Sequence, residues 1–230
     1  MSVGTVDRIA DDAVVESPAP TRRMSWRSAR RVLLRFVIVV AVANVVIMLL
    51  SWVVSVVTEL PRPTGVDAVG KLYVVDPQVW RGAHPDDDGY ASLAAAGVTT
   101  VVDLRAERDA YDSDRIAEAL GLSVVHLPIR DGQVPSDAQV ARFVGIVHDS
   151  RGTVFLHCGA GVGRTGAMAA AYLAATGQAS GGSALMRNLA VGPPSVEQMW
   201  YAVTDGAGPP PAVVALSRVL DAPRRLLSYI

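Results

Sequence analysis

The ten residues His157-Cys158-Gly159-Ala160-Gly161-Val162-Gly163-Arg164-Thr165-Gly166 constrain this chain more than any other stretch. They follow the short apolar run Thr153-Val154-Phe155-Leu156 and precede an alanine-rich segment, so a strand, a glycine loop and a helix follow one another directly. At such a junction unpaired backbone N–H groups and the helix dipole converge on one point and make an anion site. Here the loop opens on a thiol and closes on a guanidinium. Glycine lets the backbone turn its N–H groups inward and approach a ligand closely. The thiolate is the reactive form of cysteine, and the amides, the dipole and Arg164 all favour it. Arg164 can place two parallel hydrogen bonds on a phosphate, a geometry lysine cannot match. Thr165 adds a hydroxyl able to hydrogen-bond the thiolate. The combination points to covalent phosphoryl chemistry.

Two other glycine-loop readings fail. Gly161-Val162-Gly163-Arg164-Thr165-Gly166 fits G-x-G-x-x-G, but a dinucleotide fold also needs an acidic residue about 20 positions on. No Asp or Glu stands between Arg164 and Glu197. A nucleotide P-loop needs Lys where Arg164 stands. Cys158 is the single cysteine, which excludes an intrachain disulfide, a cysteine metal cluster and a C-x-x-C redox pair. No metal or cofactor is called for. The net charge of −1 provides no general basic field, so nucleic acid is not an expected partner.

In chain order, residues 1–31 are polar, with Pro18, Pro20 and Arg22, Arg23, Arg27, Arg30 and Arg31, and are expected to be a disordered basic segment. From Phe36 to Val57 the chain is almost unbroken Val, Ile, Leu, Ala and Met, with Asn44 its one strongly polar residue. About 20 such residues cross a bilayer core as a helix. The long leader, the length of the apolar run and the absence of an A-x-A site argue against a cleaved signal peptide. Residues 36–57 therefore read as a single-pass anchor at the cell membrane. Arginines crowd its N-terminal side, which places the N-terminus in the cytoplasm and everything beyond residue 60 outside it.

Residues 65–208 alternate strand-like and helix-like segments, as one α/β domain with a central, mostly parallel sheet flanked by helices would. Leu72–Val75 and Gln78–Arg81 pattern as a short hairpin. Tyr90–Ala96 reads as a helix closed by Gly97. Thr99–Leu104 fits a strand buried on both faces, and Arg108–Leu120 a helix stopping at Gly121. Ser123–Leu127 reads as a strand. Ser136 with Gln139, and Ser195 with Gln198, are capping boxes opening helices. Residues 209–230 form an amphipathic tail beyond Gly208-Pro209-Pro210-Pro211, set to dock on the domain or a partner, or to lie on a membrane surface.

The sequence H-C-x5-R-T resembles the signature of the Cys-dependent protein tyrosine phosphatase superfamily, in its small dual-specificity-like branch, over roughly residues 70–205. Trp80-Arg81-Gly82-Ala83-His84-Pro85 looks like a Y-R-S-x-Q-P segment of several members, with Gly82 and His84 departing from it. Val101-Val102-Asp103-Leu104-Arg105 is similar to a V-x-D-L-R strand end. The resemblance implies a dual-specificity-phosphatase-like fold and a two-step reaction. Cys158 attacks phosphorus, Arg164 and the amides of Gly159, Ala160, Gly161, Val162 and Gly163 hold the phosphate oxygens, and an upstream aspartate is the general acid. Asp131, in Arg130-Asp131-Gly132, and Asp137, in a helix first turn, compete for that role; Asp131 is favoured. His157 is implied to tune the thiol or simply to fill a core position. Asp103 and Arg105 are expected to brace the loop, and Gln198 to cap its helix or place the hydrolytic water. His84 and His126 have no partner evident in sequence.

The expected function is a membrane-anchored phosphomonoester hydrolase acting on phosphorylated protein through a phosphocysteine. A phospholipid monoester is the alternative substrate, and a phosphate-binding pseudophosphatase the non-enzymatic alternative. The loop carries no Lys to hold extra phosphates, which disfavours polyphosphorylated lipids.

Overall fold

The structure, a computed structural model, describes residues 26–223. The basic residues before Trp26 and the tail residues Arg224, Arg225, Leu226 and Leu227 lie outside the described residues. The chain divides into two compact units, residues 1–38 and 39–230. Among the described residues, the first holds only the beginning of one long helix, α1 (Trp26–Val57). This helix starts ten residues before Phe36, so residues 26–31 are helical rather than irregular as the sequence pattern suggests. Nothing between Trp26 and Phe36 breaks a helix, whereas Pro61 and Pro63 follow its end.

In the second unit, β1 (Tyr73–Val74) and β2 (Val79–Gly82) form the expected antiparallel hairpin. Then follow α2 (Asp87–Ala95), β3 (Val98–Arg105), α3 (Asp114–Ala119), β4 (Ser123–Ile129), α4 (Asp137–Asp149) and β5 (Thr153–His157). The chain closes with α5 (Gly163–Ala175), α6 (Gly181–Val191), α7 (Val196–Val203) and α8 (Pro211–Leu220). The sheet order is β1-β2-β5-β3-β4, and β2, β5, β3 and β4 run parallel. Their C-terminal ends therefore share one edge, where open α/β sheets carry their ligands.

The sheet is covered on both faces. Leu104, Leu127, Phe143, Leu156 and Met168 join one core under α4 and α5. Leu72, Leu93, Val101 and Phe155 join the other under α2 and α3. Val101 and Val102 are both fully buried, as their uninterrupted apolar run requires. Asp76 ties the hairpin to α5: its carboxylate accepts from the Gln78 and Val79 amides at 2.8 Å each and from the Tyr172 hydroxyl at 2.6 Å.

Other segments also differ from the sequence expectation. α2 begins at Asp87 because Asp86 caps it, its side chain accepting from the Gly89 amide. The segment 108–120 is not one helix but a 3-10 turn, Arg108–Tyr111, followed by α3. The break arises because Arg105 Nη2 donates to the Ala110 carbonyl at 2.8 Å, which holds that turn against the sheet. α6, unassigned in the sequence, lies on α5, where Gly166 faces the Asn188 amide with no room for a Cβ. Both capping boxes form.

Within the second unit one stripe of α1 is covered by α6 and α8. Ser51 Oγ donates to the Leu189 carbonyl at 2.7 Å, and Asn44 Nδ2 donates to the Leu220 and Val40 carbonyls at 2.8 Å each. Val54 packs with Leu189 and Ala190. The rest of the helix leaves its apolar side chains, including Val45, Leu49, Trp52 and Val56, exposed.

Candidate active site

β5 delivers Cys158 to the C-terminal edge of the sheet, and α5 begins five residues later. Val162 is the N-cap residue of α5 and no side chain caps that end, so the first-turn N–H groups have no intrahelical partner. The loop's carbonyls, in contrast, are taken up from outside. Arg81, 4% exposed, donates from Nη2 to the Gly161 and Val162 carbonyls at 2.9 and 3.1 Å and from Nη1 to Asn188 Oδ1 at 2.7 Å. The His84 amide donates to the Gly159 carbonyl at 2.9 Å. Gly161, at φ +70°, lies so close to the Gly82–Ala83 peptide that a Cβ could not fit. The segment 81–84 thus clasps the loop from behind, and Gly82 and His84 belong to that clasp.

Arg164 is 5% exposed, and its guanidinium reaches three groups. Nη1 donates to Glu107 Oε2 at 2.8 Å and to the Ile129 carbonyl at 3.3 Å, while Nη2 lies 3.6 Å from Asp131 Oδ1. Nε has no hydrogen-bond partner. Burial opposes ionisation of Glu107, but the hydrogen bond and charge of Arg164 outweigh it and hold the carboxyl below its ordinary range. Nothing in the sequence singles out Glu107. Only its place two residues after Arg105, at the end of a strand expected to brace the loop, could have signalled it.

Asp131 and Asp137 are placed differently. Asp131 stands beside Arg164 on the loop after β4, which turns at Gly132 (φ 75°). That loop is fastened to α7: Ser195 Oγ donates to the Gly132 carbonyl at 3.0 Å and Gln198 Nε2 to the Gln133 carbonyl at 3.1 Å. Asp137 is the first residue of α4, where a carboxylate complements the helix dipole. Gln198 is 2% exposed, its Oε1 accepts from the Ser195 amide and its Nε2 donates to the Gln133 carbonyl, so its side chain is spent on the cap and on the loop that carries Asp131.

Thr165 does not make the hydrogen bond to the thiolate expected from the sequence. It is the third residue of α5, fully buried, and its hydroxyl has no partner. Asp103 and Arg105, expected to brace the phosphate loop, pair with each other: Asp103 accepts from the Arg105 amide at 2.7 Å and meets its guanidinium at 2.8 Å, and Arg105 donates to Ala110 in the turn that follows Glu107. His126 Nε2 lies 2.9 Å from Asp114 Oδ2 and its ring lies against Tyr111, partners the sequence did not disclose. His157 stacks between Phe155 and His84, with ring centroids 5.6 and 5.3 Å away. Its Nδ1 lies 3.2 Å from the Cys158 carbonyl.

A buried thiol at a strand end, an uncapped helix N-terminus behind it and an arginine flanked by two carboxylates meet at one edge of the sheet, on a chain of the Cys-dependent protein tyrosine phosphatase superfamily. The chain belongs to the family described as "DSP-PTPase phosphatase fused to NAD+ Kinase", whose model matches residues 70–199. Among curated relatives, human dual specificity protein phosphatase CDC14C is 40% identical over 76 residues, covering 33% of this chain and 16% of that protein. NAD kinase 2, chloroplastic, of Arabidopsis thaliana is 37% identical over 95 residues, covering 39% of this chain and 10% of that protein. The chain therefore spans only a small part of the curated relatives it matches. Two solved structures share the fold at TM-score 0.51 each. P. aeruginosa TpbA in complex with pTyr is 24% identical, covering 70% of this chain and 95% of that one. PTPMT1 in complex with PI(5)P is 19% identical, covering 63% and 97%.

Burial pushes the pKa of the His157 imidazole down to about 4, against the pull of Asp103. The folded chain thus resists a proton that the unfolded chain accepts near the ordinary 6.5. The resulting stability is fully present above pH 6.5 and is lost as pH falls towards 4. Each pH unit over which only the unfolded chain takes up this proton is worth about 1.36 kcal/mol, so the loss amounts to roughly 2–3 kcal/mol between about pH 7 and pH 4.5. His157→Asn, which keeps a donor for the Cys158 carbonyl, should lose this component. Denaturant unfolding of both proteins at the two pH values measures it, as a gap that narrows on acidification; a constant gap contradicts the assignment.

Proposed function

We propose that the chain is a phosphomonoester hydrolase that works through a phosphocysteine, acts on phosphorylated protein and is held at a membrane by α1. The observation that carries the reading is the placement of Arg164. Its guanidinium lies between Glu107 and Asp131, on the loop that begins at Cys158.

In the first step the Cys158 thiolate attacks phosphorus and forms the P–S bond as the P–O bond to the leaving group breaks. Asp131 gives its proton to the departing oxygen. Arg164 and the amides of residues 159–163 hold the equatorial oxygens, whose charge spreads as the bonds exchange. Glu107 keeps the guanidinium plane fixed before substrate arrives, so little reorganisation is left for the transition state. In the second step Asp131, now a carboxylate, takes a proton from water as its oxygen attacks phosphorus. The P–S bond breaks, and inorganic phosphate and the thiolate are released. Gln198 acts as a positioning residue through the Gln133 carbonyl. Relatives named as dual specificity protein phosphatases support a protein substrate.

Turnover of p-nitrophenyl phosphate tests the mechanism. Cys158→Ser should abolish it. Asp131→Asn should lower kcat by about 10²–10³-fold, in the range of a lost general acid, and remove the limb of the pH profile that requires a protonated acid. Asp137→Asn should leave kcat within about twofold; loss in that variant alone rejects Asp131.

The anchor reading rests on α1. From Phe36 to Val57 it has no charged residue, and its most apolar window has a mean hydropathy of 2.8. With Arg30, Arg31 and Arg35 on the N-terminal side, the positive-inside rule puts the phosphatase domain outside the cytoplasm. A C-terminal reporter active only outside the cytoplasm should give signal; activity of a cytoplasm-only reporter at that terminus contradicts this topology.

A further inference from the structure

The charge of Arg81 has no counter-ion. The residue is 4% exposed, and its acceptors, the Gly161 and Val162 carbonyls and Asn188 Oδ1, are all neutral. Its Nε has no hydrogen-bond partner. Among the described residues no carboxylate forms an ion pair with it. Burial pulls its pKa down to about 10, and the ionised forms of Cys158 and then Tyr73 pull it back. A buried cation that only dipoles hold strongly favours an anion within reach, because the interior screens it little.

The other charges around Cys158 cancel. Arg164 meets Glu107 at 2.8 Å and Asp131 at 3.6 Å, so one positive charge faces two carboxyl groups. With Asp131 protonated that cluster is neutral, and with Asp131 ionised it is net negative. Arg105 pairs with Asp103 at 2.8 Å. His157, its pKa pushed down to about 4 by burial, carries no charge near neutral pH. Burial and then the charge of Arg105 lower the pKa of His84, so it is neutral there too. The Thr165 hydroxyl makes no hydrogen bond and so gives the sulfur none. The loop amides and the α5 dipole bring only partial charge. Among the described side chains that meet the loop, Arg81 alone brings a full positive charge with no carboxylate against it.

We propose that Arg81 keeps Cys158 ionised: its buried, unpaired charge acts on the sulfur from behind the phosphate loop, and Asn188 holds that charge in place without neutralising it. The proposal rests on the reading of Cys158 as the nucleophile and makes Arg81 a positioning residue that acts through it. Arg164, balanced by its carboxylates, is left to hold the phosphate oxygens. The residue type at position 188 carries the distinction. Aspartate has the same shape as asparagine and would give Arg81 a stronger, charge-assisted bond. A clasp that served shape alone would work at least as well with it. A clasp that also lends its charge to the sulfur needs an acceptor that is neutral, and Asn188 Oδ1 at 2.7 Å is one.

The test is alkylation of Cys158 by iodoacetamide in the full chain in detergent micelles. Cys158 is the single cysteine, so the rate reports this site alone. The rate at about pH 6, divided by the same protein's rate at about pH 9.5, follows the thiolate fraction and cancels intrinsic nucleophilicity. Asn188→Asp should lower that ratio about tenfold, whereas Asn188→Ala, which removes the acceptor and adds no charge, should leave it within about twofold. Arg81→Gln should lower it about tenfold, and Arg81→Lys, which keeps the charge and loses the fork, should retain most of it. A clasp that acts through shape alone gives the opposite order, with Asn188→Ala and Arg81→Lys impaired and Asn188→Asp normal. That order, or equal ratios in wild type and Asn188→Asp, overturns the proposal. Denaturant unfolding of each variant shows that it is folded, and if Arg81→Gln is not, the Asn188 pair decides with Arg81 still in place. The readout needs no turnover. A wild type that fails to hydrolyse p-nitrophenyl phosphate therefore sinks the phosphatase reading, while the alkylation ratios alone sink or support this one.

Discussion

A peptide loop can offer its N–H groups to a phosphate only if its carbonyls turn away and find donors elsewhere. In this chain Arg81 meets that requirement. Its buried guanidinium donates to the carbonyls of Gly161 and Val162 and is itself oriented by Asn188, while the His84 amide donates to Gly159. Burying an arginine is costly, and desolvation pulls the pKa of Arg81 down to about 10. The penalty is offset because these hydrogen bonds hold the loop in the one shape that presents an anion site. Loss of that clasp would leave the buried Gly161 carbonyl unpaired, whereas the Val162 carbonyl would keep its bond from the Gly166 amide.

The rest of the fold follows from that constraint. β2 must lie beside β5 for Arg81 to reach the loop, and the parallel pairing of Arg81 with Leu156 sets the register. α6 must pack on α5 to bring Asn188 to Arg81, which is why Gly166 leaves no room for a Cβ on that face. On the far side Arg105, paired with Asp103, donates to Ala110 in the turn that follows Glu107, and α7 fixes the loop of Asp131 through Gly132 and Gln133. Arg164 is thereby gripped from two directions before any substrate is bound. Such preorganisation lowers the reorganisation left for the transition state.

Features with a local chemical cause were legible in the sequence. The glycine loop, both capping boxes, the hairpin and the doubly buried run of β3 depend on neighbours within a few residues, and all form. Features created by tertiary contact were not. Glu107 matters because a strand end and a helix start converge from positions 57 residues apart. Arg81 stands in a recognisable segment, yet nothing local to it says that its guanidinium faces the loop's back. The 3-10 break at Arg108–Tyr111 depends on one guanidinium reaching Ala110, which helical periodicity cannot foresee. Thr165 has a residue type that suits the thiolate, but as the third residue of α5 it is fully buried and its hydroxyl makes no hydrogen bond.

The proposed mechanism stands on Cys158 as the residue that carries phosphate between the two steps. Rapid acid quench of the full chain with a 32P-labelled phosphopeptide, followed by peptide mapping, measures that directly. The predicted result is label on the peptide containing Cys158, stable in acid, present in wild type and absent in Cys158→Ser. Hydrolysis that proceeds at the normal rate with no label on Cys158 at any quench time would contradict it.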